Sequence, residues 1–115
     1  MATDCLFCKI CDGQLPSKRV FEDDLAIAFE DANPQAPTHV LVVPRRHIAT
    51  LNDLGPSDRE LVGHLVAIAT RIAKDRGLAE NGYRTLFNCN REAGQTVFHV
   101  HLHLLGGRKF RWPPG

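Results

Sequence analysis

The sequence predicts an α+β fold, an antiparallel five-stranded sheet with one long helix packed on it. Three observations predict it. The chain reads in order as a short helical turn, three strands, one helix and two strands. The links between neighbouring strands are of hairpin length, which favours antiparallel pairing. A single stretch carries a helical apolar stripe long enough to cover a sheet.

Residues 5–11 form the short turn, with Leu6, Phe7 and Ile10 on one side. Lys18 to Glu22 and Leu25 to Glu30 are strands, and Asp23-Asp24 is the tight turn between them. The segment Ala32-Asn33-Pro34-Gln35-Ala36-Pro37 is a loop, because two prolines exclude both helix and central strand. His39 to Val43 is a strand rich in β-branched residues, ended by Pro44. Residues 57–76 are the long helix. Ser57 and Glu60 make a capping box behind Pro56, and Leu61, Leu65, Ile68 and Ile72 form one apolar stripe. Gly77 closes the helix. Tyr83 to Asn88 and Val97 to Leu105 are the last two strands. Gly106-Gly107 ends the second, and Trp112-Pro113-Pro114-Gly115 is a stiff extended tail.

A length of 115 residues predicts one domain, residues 1–115. With 14 basic and 13 acidic residues, no field of one sign favours nucleic acid or a membrane surface as partner. The apolar runs are too short to span a bilayer. The start, MATDCLFCKICDG, has no basic segment followed by a long apolar core, so it does not read as a secretory signal, and a cytoplasmic location is expected. There the cysteines Cys5, Cys8, Cys11 and Cys89 read as reduced thiols or metal ligands rather than disulfides.

The run His99-Val100-His101-Leu102-His103 carries the chemistry. In a strand, side chains two apart share a face, so the three imidazoles line one face and Val100, Leu102 and Leu104 the other. If the apolar set faces the helix, the histidines look into a polar cleft, since three buried unpaired imidazoles would be costly. A solvated half-polar strand is the plain alternative. Two functional readings remain open: HxH in a strand can chelate a metal, and imidazole can carry a phosphoryl group covalently. The polar loop Asn88 to Thr96 lies just upstream. Backbone N–H groups at Gly94 to Val97 and the Thr96 hydroxyl could cradle phosphate oxygens. The nucleophile must keep one ring nitrogen free, so its other nitrogen needs an acceptor, expected to be a backbone carbonyl.

The run HVHLHLL with Gly94-Gln95-Thr96 before it resembles the histidine triad (HIT) family of nucleotide hydrolases and transferases. Phe21-Glu22-Asp23-Asp24 and the segment Ala36 to His47 are similar to that family's upstream signature, and Leu105-Gly106-Gly107 with the Trp112-Pro113-Pro114-Gly115 tail resembles its Hint branch. The resemblance implies a HIT-like fold whose sheet continues across a homodimer. It also implies hydrolysis of the P–N bond of purine nucleoside 5′-phosphoramidates, such as conjugates of AMP or GMP with an amine, through a nucleotidyl-histidine. His101 matches the nucleophile, with His99, His103 and His39 as the other catalytic histidines. Asn88, Thr96 and the backbone of Gly94, Gln95, Thr96 and Val97 match the phosphate contacts. Asp31 matches the ribose carboxylate, and Leu6, Phe7, Ile10, Phe29 and Ala32 the base pocket. Thr96 stands where serine is common, and Ala32 where a larger aliphatic is common. The resemblance puts Trp112 on the leaving-group side of a partner's site; packing on its own chain is the alternative.

Cys5-Leu6-Phe7-Cys8 is a CxxC, half of a zinc site by spacing. The resemblance supplies the other half, His47 and His99, giving a structural Cys2His2 zinc site, with no metal required at the phosphate. Two reduced cysteines and a free His47 are the alternative. Cys11 reads as a spare, Cys89 as a residue without a role, His64 as a partly exposed helix histidine, and Arg45-Arg46 as a solvated pair. Two further functions compete with the phosphoramidase: a metal-dependent enzyme using the HxHxH histidines as ligands, and a non-catalytic nucleotide-binding scaffold dimer.

Overall fold

A computed structural model describes residues 4–115; residues 1–3 of the predicted domain and of the N-terminal stretch lie outside them. The strands are β1 (Arg19–Glu22), β2 (Ala26–Glu30), β3 (Thr38–Pro44), β4 (Tyr83–Leu86) and β5 (Leu102–Gly106), and the helices are α1 (Leu6–Cys11) and α2 (Arg59–Asp75). The five strands form one sheet in the order β1-β2-β3-β5-β4, and every neighbouring pair is antiparallel. The predicted fold class is therefore the observed one. Among the described residues no helix is long and apolar enough to cross a membrane.

The sheet is covered on both faces. Ala26, Ala28, Val40, Val42, Val100, Leu102 and Leu104 face α2, where Leu65, Ile68, Ala69, Ile72 and Ala73 meet them. Ile27, Phe29, Leu41 and Val43 point the other way, onto Phe7, Ile10 and Cys11 of α1. Two-sided cover explains why β3 is buried along its whole length and reads as a continuous apolar run. Burying one such side chain fully contributes about 2 kcal/mol, so six residues of α1 suffice to hold the second face.

Local chemistry sets the turns. The Asp23 carboxylate accepts the N–H groups of Leu25 and Ala26, both at 2.9 Å, and makes the hairpin between β1 and β2. Gly77, at φ +74°, follows α2, and the Leu78 N–H reaches back to the Ala73 carbonyl at 2.9 Å, the closure that a left-handed residue permits.

Four expectations are corrected. Ser57 does not cap α2: it sits inside a short 3-10 turn, Pro56–Asp58, ahead of the helix, and Asp58 at the N-cap position turns its carboxylate back to the Gly55 N–H at 2.8 Å and to Arg46 rather than onto α2. The last strand begins at Leu102, not Val97, because the Val100 N–H donates to Ile48 outside the ladder. The fourth strand stops at Leu86, two residues early. Arg45 is anchored rather than solvated, holding the carbonyls of Asp23 and Cys11, whereas Arg46 is exposed as expected and reaches Asp58. His64 is half-buried as expected, and its Nε2 lies 2.6 Å from Asp23, tying α2 to the hairpin.

Candidate active site

The histidine run leads into β5, and its alternation holds even where the ladder has not begun. Val100, Leu102 and Leu104 pack toward α2, so His99, His101 and His103 fall on the opposite face. Pairing of β5 with β3 sets His103 across from Leu41 and brings His39 within reach of it. Phe7 of α1 stands against both His99 and His101, with ring centroids 6.1 and 5.0 Å away. That ring divides the face into two chemically different places.

On one side is a cleft of about 800 Å³. Of the predicted residues it is lined by Leu6, Phe7, Ile10, Phe29, Asp31, Ala32, His39, Thr96, Val97, His101 and His103. The predicted apolar pocket and the predicted carboxylate are thus brought together with two of the three triad histidines. Asn88, Gly94, Gln95, His99 and Trp112 are not among its lining residues. Trp112 is 83% exposed, so within one chain it has no place to pack. Ser17 and Lys18 also line the cleft, and nothing in their spacing pointed there.

For His101, His99 and His39 a backbone group sets the tautomer, while His103 meets only the His39 ring. The Nδ1 of His101 lies 2.7 Å from the His99 carbonyl, so it carries the proton and leaves Nε2 bare. This is the backbone acceptor that a nucleophilic histidine requires. The Nε2 of His99 lies 2.7 Å from the Pro44 carbonyl, so its Nδ1 is bare. The Gln35 N–H donates to His39 Nδ1 at 3.0 Å. Burial pushes His101 below the ordinary imidazole value, against the pull of the His99 carbonyl and the Asp31 charge. Burial likewise lowers His39 and His99. Burial, then the neighbouring His101 and His39, bring His103 down to about 4. All four rings are neutral at pH 7, the state in which an imidazole can attack or ligate.

The loop before the triad is braced from within. The Gln95 side chain is buried, accepting the Asn90 N–H and donating to the carbonyls of Ala49 and Val97. The N–H groups of Gly94 and Gln95 are spent on Arg91 and Asn90. The cradle expected across Gly94 to Val97 therefore narrows to Thr96 and Val97, the two residues of the loop that line the cleft.

On the other side of Phe7 lie Cys5, Cys8, His47 and His99, whose ligand atoms sit within 4.8 Å of one another. The Nδ1 of His99 is 3.3 Å from Cys5 Sγ, 3.4 Å from Cys8 Sγ and 3.2 Å from His47 Nδ1. A tetrahedral zinc with ordinary bond lengths sets S···N at about 3.5 Å and N···N at about 3.3 Å. The donor set fits such an ion, and the Pro44 carbonyl on His99 is the kind of outer partner that orients a ligating imidazole. Burial, then the hydrogen bond to Cys5, push the Cys8 thiol up to about 12, so a metal would have to displace a proton there. Cys11 lies outside the cluster, in the core. The three triad histidines do not converge on one point, which removes the reading of HxHxH as a three-ligand metal site. Asp31, His39 and His103 also cluster. With the Gln35 N–H on Nδ1, however, neutral His39 carries its proton on Nε2 and has no lone pair to offer an ion there.

Comparison with known proteins now bears on this geometry. The model of the HIT domain matches residues 12–110. The chain belongs to the HIT family. It is 46% identical over 108 residues to the purine nucleoside phosphoramidase of Escherichia coli, a match spanning 94% of this chain and 91% of that protein. The crystal structure of a HIT family hydrolase from Legionella pneumophila superposes with a TM-score of 0.95 at 53% identity, over 96% of this chain and 99% of that one. A histidine triad protein from Clostridium difficile gives 0.93 at 42% identity, over 96% of each chain. This HIT protein is accordingly an enzyme, a hydrolase of that family. Its Phe7 partition separates the histidine that faces the thiols from those that face the cleft. What the sequence could not name were the backbone groups of Gln35, Pro44 and His99, because a carbonyl or an N–H leaves no mark in residue type.

Proposed function

We propose that this HIT hydrolase cleaves the P–N bond of purine nucleoside 5′-phosphoramidates and releases the nucleoside monophosphate. One observation carries the reading: His101 donates Nδ1–H to the His99 carbonyl and keeps Nε2 free in a cleft that also holds a carboxylate and an apolar ring-lined end. Leu6, Phe7, Ile10, Phe29 and Ala32 take the base, and Asp31 takes the ribose hydroxyls. This places the α-phosphate by His101. Nε2 bonds to phosphorus, the P–N bond breaks, and the amine leaves with a proton taken from solvent, which the hydrolytic water of the second step returns. Water then hydrolyses the nucleotidyl-histidine. Splitting one hard displacement into two easier ones is what a neutral imidazole offers. Thr96, the Val97 N–H and His103 hold the phosphate oxygens, where negative charge spreads in the transition state. Asn88 joins them if the loop closes on substrate. The relative from Escherichia coli that bears the phosphoramidase name supports the substrate class.

Cys5, Cys8, His47 and His99 hold a structural zinc, which fixes the start of the catalytic segment. The chain works as one domain and as a homodimer, with Trp112 on the leaving-group side of the partner's cleft, in the cytoplasm where its thiols stay reduced. A nucleotide-binding scaffold without turnover is the competing reading. The test is release of AMP from adenosine 5′-phosphoramidate by wild type and His101→Ala. Turnover is expected in wild type, with a loss of at least about 10⁴-fold in the variant. Equal rates would remove the proposal, and AMP binding without turnover would favour the scaffold.

A further inference from the structure

We infer that Asp31 and the Gln35 backbone N–H are positioning groups that lock His39 and His103 in one tautomer each, so that His103 meets the substrate as a hydrogen-bond donor rather than as a base. The inference deepens the reading of the cleft as a nucleotide site and rests on it for the ribose part alone.

Four contacts build the chain. The Gln35 N–H donates to His39 Nδ1 at 3.0 Å, which leaves the proton of neutral His39 on Nε2. That Nε2 lies 2.9 Å from His103 Nδ1 and 3.3 Å from Asp31 Oδ2. The single Nε2–H is therefore donated to the imidazole, and the Asp31 carboxylate stands beside it as a charge contact rather than as its hydrogen-bond acceptor. Where His103 Nδ1 accepts it, the proton of neutral His103 stays on Nε2. The Nε2 of His103 is buried and has no partner, and His103 lines the cleft. A buried donor without a partner is costly, and a phosphate oxygen is the acceptor that would satisfy it.

The loop is built to hold this arrangement. Asp31 donates its N–H to the His39 carbonyl at 2.9 Å, and its Oδ1 accepts the Asn33 N–H at 2.8 Å. Only Oδ2 is left to choose between His39 and an incoming hydroxyl. Ribose hydroxyls that donate to Oδ2 draw the carboxylate's charge away from the His39 Nε2–H, whose bond to His103 is then left without a competing pull. Ribose recognition and the aim of the His103 donor become one hydrogen-bonded unit. No proton changes owner in this device.

The experiment is nitrogen-15 NMR of histidine-labelled protein, where two-bond couplings report the tautomer of each ring. In the free protein His39 and His103 are both expected as the Nε2–H form, and AMP is expected to move the His39 Nε2 resonance while 2′,3′-dideoxy-AMP leaves it near its free position. His103 found as the Nδ1–H form, or a His39 resonance indifferent to the two hydroxyls, overturns the inference. Gln35→Pro deletes the locking N–H; it should turn His39 into a tautomer mixture and lower kcat for adenosine 5′-phosphoramidate about tenfold with KM nearly unchanged. Should that variant fail to fold, Asp31→Asn carries the same reading through the His39 resonance. Absent turnover by wild type would sink the proposed substrate, and the free-protein tautomers would still decide this point.

Discussion

At the start of the triad His99 faces two thiols with a bare nitrogen; at its end the buried Nε2 of His103 faces the cleft. Both rings are neutral and sit on one segment four residues apart. The difference lies in the partner on the far nitrogen. The Pro44 carbonyl accepts the Nε2–H of His99 and leaves Nδ1 bare toward the thiols. At His101 the carbonyl of His99 does the same job in the other sense and leaves Nε2 bare toward the cleft. Residue type supplies the imidazole, and the backbone around it decides whether it ligates, attacks or donates.

The comparison breaks most severely on the thiol side. Cys5→Ser and Cys8→Ser remove one soft ligand each, and each should empty the zinc site and lower Tm by ~10 °C, from about 2 kcal/mol of lost stability. Elemental analysis of wild type and variants, with calorimetry on the same samples, checks this. A chelator should lower Tm while leaving initial turnover in place, because the four candidate ligands lie on the far side of Phe7 from the cleft. Immediate loss of turnover on chelation would merge the two regions into one.

A smaller effect sharpens the cleft side. His101 and His39 lie below the ordinary imidazole value and His103 at about 4. Turnover, which needs neutral rings, should hold through pH 6.5 and fall only below it. Stability follows with a definite sign. Imidazoles of the unfolded chain take up protons near pH 6.5, whereas the folded rings stay neutral. The unfolded state then binds more protons, so stability declines as pH drops from about 6.5 toward 4. A kcat profile and Tm series across that interval measure both, and an acid limb centred at 6.5 would show rings no more buried than free histidine.

Much of this was legible in the sequence. Periodicity found α2 and all five strands, because their apolar spacing follows from how each face is covered. The alternation of HVHLH placed the histidines opposite α2 although the ladder begins only at Leu102. The errors share a cause. The Asp58 carboxylate on Gly55 and Arg46, the anchoring of Arg45, and the bracing of Gln95 each depend on a partner distant in sequence or on a main-chain atom. The apolar side of residues 5–11 was legible, but its packing on the second face of the sheet was not, because that depends on Ile27, Phe29, Leu41 and Val43 of distant strands.

The central claim is that His101 Nε2 becomes bonded to phosphorus. Acid quenching of wild type in mid-turnover with adenosine 5′-phosphoramidate, followed by intact mass and peptide mapping, tests it most directly. The expected result is protein heavier by one adenylyl group, carried by the peptide that contains His101, and no such species in His101→Ala. Full turnover with no adenylylated protein at any quench time, or the group found on another residue, would contradict it.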